Sequence, residues 1–248
     1  MDVSAQDARV HPEPTSVQVR RSLIAASLLV IILWFIPFGH TITLPFRYFV
    51  TFLHELSHAL AAVFTHGSAS QMQIARDGSG SVQVIGGWRF LVAAAGYIGT
   101  TFFGATLLLL SQKPKLATSM FYILFAVILF TTVWWVSPIF SFGFWTGIIL
   151  AGLLLLAGLY VKGKLSIFLL QFLAVQCCLS ALWDLSVLMR LNTAGIPDND
   201  AAFLASFTHI PAIVWSILWT LFSALILWQA LKRTWKNGKE PRAIEQGF

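Results

Sequence analysis

The sequence predicts an all-α polytopic membrane protein of six or seven transmembrane helices, with a short β-hairpin after the second. Three observations predict it. Of 248 residues, 57% are hydrophobic and 10% charged, where a soluble domain carries about 25% charged residues. The mean hydropathy is +0.78. Apolar runs recur from about residue 22 to 231, each near the ~20 residues that a helix needs to cross a bilayer. No length is left for a separate soluble domain. The expected organisation is a polar N-terminal tail (1–20), a single transmembrane domain (21–232) and a basic C-terminal tail (233–248).

The elements follow from punctuation. Residues 1–20 are polar, with Asp2, Asp7 and Glu13, and read as a surface tail rather than a cleavable signal peptide. The first span is about 22–38, closed by Pro37 and Gly39, and the second about 44–65. In residues 66–87 (HGSASQMQIARDGSGSVQVIGG), glycines and serines bracket Met72–Ala75 and Ser81–Ile85. That is a hairpin signal with its turn at Asp77-Gly78. In lipid its edges must lie against protein or water. The third span, about 88–110, holds Gly96, Gly99 and Gly104, which suit close helix packing. Spans four and five, about 117–136 and 139–160, are separated by Ser137-Pro138. Gly143 and Gly147 form a GxxxG pair in the fifth. The sixth, about 165–189, contains Asp184. A polar loop with a short helix follows, capped by Asp198 or Asn199 with Asp200 in its first turn. The seventh span is about 210–231.

The formal net charge is +6. The basic residues stand at the ends of apolar runs, where membrane orientation and lipid headgroups account for them, so nucleic acid is excluded as a partner. Lys113, Lys115, Lys162, Lys164 and the C-terminal cluster share one side if spans three to seven alternate. Arg20 and Arg21 call for the N-terminus on that side too, which seven simple spans cannot satisfy. Either a re-entrant or half-length element lies in the N-terminal half, or one basic cluster is misplaced. Cys177 and Cys178 are adjacent in an apolar run and read as small buried side chains, not a redox pair.

One motif carries chemistry: His54-Glu55-Leu56-Ser57-His58, within the second apolar run. At this chain's His and Glu frequencies a chance match is expected roughly 0.002 times. On a helix of 3.6 residues per turn, His54 and His58 share a face and can bind one zinc. Glu55 can reach a zinc-activated water as general base without ligating the metal. As a bare carboxylate among apolar neighbours it would be costly. A third protein ligand is needed. Asp184 leads, as a carboxylate deep in an apolar segment, with pairing to Arg47, Arg89 or Arg190 as its other explanation. Asp200 is the alternative third ligand, with a helix cap as its other explanation. His66 and His209 read as helix-end residues, and His40 as interfacial.

These residues resemble the site-2 protease family of intramembrane zinc metallopeptidases, most closely its small peptidase-like branch found in bacteria and plants. The similar elements are His54-Glu55-Leu56-Ser57-His58-Ala59, the glycine-rich hairpin region, Gly96-Tyr97-Ile98-Gly99, Ala181-Leu182-Trp183-Asp184-Leu185, and Asn199 to Ala205 followed by Ile210-Pro211-Ala212. The resemblance spans roughly residues 20–232. It implies Zn2+ held by both motif histidines and a later aspartate, Glu55 as base, and hydrolysis of a membrane-embedded protein or peptide substrate. It also implies a hairpin that helps present an extended strand. The family's aspartate stands in an Asp-Gly pair after Asn-Pro, whereas here Asp184 precedes Leu185. The expected setting is a bacterial inner membrane, with lipids and a transmembrane substrate as partners. The alternative function is a non-proteolytic membrane protein with a structural or ligand-binding zinc site.

Overall fold

The computed structural model describes residues 14–191 and 199–236. Its elements run α1 (Ser16–Phe35), α2 (Gly39–Phe64), β1 (Ser68–Ile74), β2 (Gly80–Ile85), α3 (Arg89–Leu110), α4 (Pro114–Trp135), α5 (Phe142–Tyr160), α6 (Gly163–Leu191), α7 (Asp200–Thr208) and α8 (Ala212–Lys236). The class is all-α with one antiparallel hairpin, as the sequence predicts. Among the described residues five helices are long and apolar enough to cross a membrane: α1, α3, α4, α5 and α8. The fully described part of α6, Gly163–Leu179, is also an apolar helix. The hydropathy pattern predicts six or seven spans; α2, which holds the zinc motif, is not among the five.

α1 begins earlier than its apolar run because Thr15 and Gln18 form a capping box. Thr15 Oγ1 accepts from Gln18 N, and Gln18 Oε1 accepts from Thr15 N, an arrangement worth about 1 kcal/mol. Pro114 opens α4 at a position where its missing N–H costs nothing. α3 is central, packing on α2, α6 and α8. Most of its apolar window is buried, whereas α1, α5 and α8 leave most of theirs to lipid. Of its glycines, Gly96 and Gly99 face α2, and Gly104 faces Cys177 and Cys178 of α6. Both cysteines are buried thiols. The Gly143/Gly147 pair admits three neighbours, Ile74 of β1, Thr132 of α4 and Phe52 of α2.

The hairpin pairs Ser68 with Ile85 and Ile74 with Gly80, with an irregularity between Ser70 and Gln73. Gly78, at φ +90°, supplies the left-handed residue of the turn, and its N–H donates to Ala75 O at 3.1 Å. Asp77 accepts from Ser79 N (3.0 Å) and Ser79 Oγ (2.7 Å). The Ser79 backbone bond holds the Asp77 carboxyl below the usual carboxylate range. Within the irregularity, buried Met72 bridges Val136 in parallel and its carbonyl accepts from Ser137 N at 3.0 Å. Protein therefore covers part of the outer edge of β1, as an edge at membrane depth requires.

Candidate metal centre

The site is built on α2. Its N-terminal half is held to the hairpin turn along one face. Tyr48 Oη donates to Arg76 O at 2.7 Å and Thr51 Oγ1 to Gly78 O at 2.7 Å. One turn further, the Glu55 side chain lies against Gly80. The helix closes on Thr65, whose N–H reaches back to Ala61 O and whose hydroxyl accepts from Trp88 N at 2.9 Å. His66 follows in the left-handed region at φ 63°, the helix-end role its position beside Gly67 predicts. His209 has the same role after α7, at φ 59°. The side chain of His40 lies outside the described residues.

His54 and His58 project from α2 toward α3. Their rings meet edge to face with centroids 4.7 Å apart. His58 Nδ1 lies 2.6 Å from Val92 O, so Nδ1–H donates to the carbonyl and the Nε2 lone pair is left to face the site. His54 is braced by the Tyr97 ring at 4.8 Å, and Tyr97 stacks on Trp219 of α8 at 4.5 Å. Gly96 of α3 lies directly over the pair; a β carbon there would overlap Nε2 of both histidines. The third group is Asp200. Its Oδ2 stands 3.0 Å from His54 Nε2 and 3.1 Å from His58 Nε2. One ligand atom from each of the three residues lies within 4.8 Å of the others.

Asp200 arrives through α7. Asn199 caps that helix, its Oδ1 accepting from Ala202 N at 2.9 Å. Ala201 and Leu204 then pack into a cluster with Ala93, Ala94, Tyr97 and Trp219, and Arg89 lies over the Phe203 and Phe207 rings at 5.3 and 4.6 Å. These contacts carry the first residue of α7 to the histidines. Asp184 lies within α6, but its side chain falls outside the described residues.

The donor set fits a zinc ion. Around a tetrahedral zinc with bonds of about 2.0–2.1 Å, neighbouring ligand atoms stand about 3.3 Å apart. The His–Asp separations of 3.0 and 3.1 Å are close to that edge length, and two imidazoles with a carboxylate are a common zinc set. Glu55 is buried on the same turn of α2 and is not one of the three gathered donors.

A family model described as Peptidase M50B-like matches residues 23–230. The chain belongs to that family. The resemblance to the site-2 protease group thus holds over nearly the whole described bundle. No curated protein and no solved structure matches this M50B-like chain.

Sequence reading missed three parts of the M50B-like site. Val92 contributes only a carbonyl, which no side-chain pattern reveals. Gly96 was read for helix packing, and Gly96-Tyr97 also as part of a family-like element, but neither was given a role at the histidines. Their offset from Val92 by roughly one helical turn was the available signal.

Proposed function

We propose that this chain is a membrane-embedded zinc protein in which His54, His58 and Asp200 hold the ion, and that Glu55 makes it an intramembrane metallopeptidase. The observation that carries the first part is the convergence of Asp200 Oδ2 on both Nε2 atoms. A zinc so held would polarise a peptide carbonyl and bring a water's pKa to about 7.

The chain's own residues then divide the work. Val92 O and the Tyr97 ring fix the two imidazoles. Glu55, buried at the base of the hairpin, accepts a proton from the attacking water and returns it to the leaving amine. The hairpin carries its extended strand β2 beside this point, where a substrate strand can pair with it. Six helices, α1, α3, α4, α5, α6 and α8, cross the bilayer, and α2 with the hairpin enters from one side.

The alternative is a zinc site that binds or stabilises without hydrolysis. It is favoured by one feature: the gathered donors close on one another without Glu55. Purified protein separates the readings. Both expect about one zinc per chain. Cleavage of a transmembrane peptide that stops on chelation and returns with added zinc supports hydrolysis. Zinc-loaded protein inert against a panel of transmembrane peptides leaves the binding role standing.

A further inference from the structure

Contacts across the bundle place the metal centre at one end of it. Tyr48, early in α2, meets Phe142 at the start of α5 with centroids 5.6 Å apart. His58, much further along α2, meets Val92 near the start of α3. α3 and α5 run toward Lys113 and Lys162, so both contacts lie at the end away from those lysines. Early in α2, Phe46 meets Phe172 of α6 edge to face at 4.8 Å, so α2 dips toward the middle of the bundle and returns to the metal end without traversing it. The hairpin lies there too, since Met72 bridges Val136 at the close of α4 and Gly143 packs on Ile74. Asp200, between α6 and α8, completes it.

The opposite end is basic. Lys113 and Lys115 join α3 to α4, and Lys162 and Lys164 join α5 to α6. α8 runs parallel to α3, because Tyr97 stacks on Trp219 and Thr101 Oγ1 meets Ser223 Oγ at 2.6 Å in the same order along both. Lys232 and Arg233 therefore end on the lysine side. At the start of α1, Val19 O accepts from Gln171 Nε2 at 3.2 Å, in the first third of α6, which puts Arg20 and Arg21 on that half as well. The described acidic groups Glu55, Asp77 and Asp200 are all at the metal end. Of the cations there, Arg47 lies beside Gly78 at the hairpin turn, Arg76 over Phe142 and Arg89 over Phe203 and Phe207.

Lysine and arginine concentrate on the cytoplasmic side of membrane proteins. With α2 not crossing, Arg20–Arg21, the four loop lysines and Lys232–Arg233 fall on one face, and the conflict between Arg20–Arg21 and the lysines disappears. We infer that the metal centre opens toward the non-cytoplasmic face. On the hydrolysis reading, which this last step rests on, its substrates are transmembrane segments whose susceptible bond lies in the outer half of the bilayer. That is the half a strand must enter to reach β2 and Glu55.

Single cysteines test the orientation without any need for activity. Gln83→Cys on β2 and Ser206→Cys on α7 are exposed at the metal end, and Gln112→Cys lies beside Lys113. The native Cys177 and Cys178 are buried, and the parent protein gives the background. With a membrane-impermeant thiol reagent on intact cells, Gln83→Cys and Ser206→Cys are expected to label fully, and Gln112→Cys only after permeabilisation. Labelling of Gln112→Cys on intact cells, or labelling of the other two that needs permeabilisation or never occurs, overturns the orientation. The substrate step has its own readout in transmembrane peptides with one cleavable segment at either end. Cleavage confined to the cytoplasmic-half segment overturns that step, whereas no cleavage of either counts against hydrolysis itself and leaves the labelling result intact.

Discussion

A β carbon at Gly80, built on the strand as it lies, would stand 2.8 Å from Oε1 of Glu55 and 3.0 Å from its Cγ, with Cγ2 of Thr51 closer still at 2.4 Å. The hairpin and the proposed general base are therefore in direct contact, and only glycine permits it. Thr51 and Tyr48 hold the turn above them through Gly78 O and Arg76 O. Gly80→Ala is expected to push both Thr51 and the Glu55 carboxylate aside while leaving His54, His58 and Asp200 together. Misplacing a reacting group by about 1 Å can cost on the order of 100-fold in rate. The expected outcome is zinc content equal to the parent and a peptide-cleavage rate lower by about that factor. A variant with full activity would show that the carboxylate is not held by this contact.

The third ligand is decided by metal content. Asp200→Ala removes the carboxylate that touches both Nε2 atoms, so purified protein is expected to lose most of its zinc. Asp184→Ala is expected to keep about one zinc per chain. Measured by elemental analysis after gentle purification, the reverse pattern would transfer the role to Asp184, and retention in both would remove both from the ligand set.

Much of the bundle was legible because its boundaries carry chemistry that hydropathy alone exposes. Lys113-Pro114, Ser137-Pro138 and Lys162 interrupt apolar runs, and α3, α4 and α5 begin and end within a few residues of them. The hairpin was legible from Asp77-Gly78 between two short apolar segments. What was not legible is the path of α2. An apolar stretch that crosses and one that only enters have the same composition; the contacts of Tyr48 and His58 at one end of the bundle favour the second path, on which the inferred orientation rests. Asp200 was hard to weigh for a different reason. A carboxylate at a helix start has a ready capping explanation. In the structure Asn199 takes the cap, and Asp200 is left to the histidines.

Glu55→Gln tests the base without disturbing volume. The amide keeps the shape beside Gly80 but cannot accept a proton from water. Zinc content is expected to be unchanged and the cleavage rate to fall by roughly 10²–10⁴, the usual contribution of a positioned general base. Activity equal to the parent would exclude Glu55 from the chemistry, and the zinc site would then be read as binding or structural.

Gly96 tests the metal cradle itself. Its Cα passes so close to the histidines that a methyl group would overlap Nε2 of both. The same helix supplies Val92 O to His58 and the Tyr97 ring to His54, so α3 cannot retreat without releasing them. Gly96→Ala is therefore expected to weaken zinc binding by at least the 10–100-fold typical of losing a supporting contact around a metal ligand. Competition with a calibrated chelator measures it, and circular dichroism checks that helix content is kept. Gly152 of α5, where a β carbon meets nothing within 4 Å, gives the control: Gly152→Ala is expected to leave zinc affinity unchanged. Equal affinity in the two variants would mean that α2 and α3 are not held at this separation when the metal is bound.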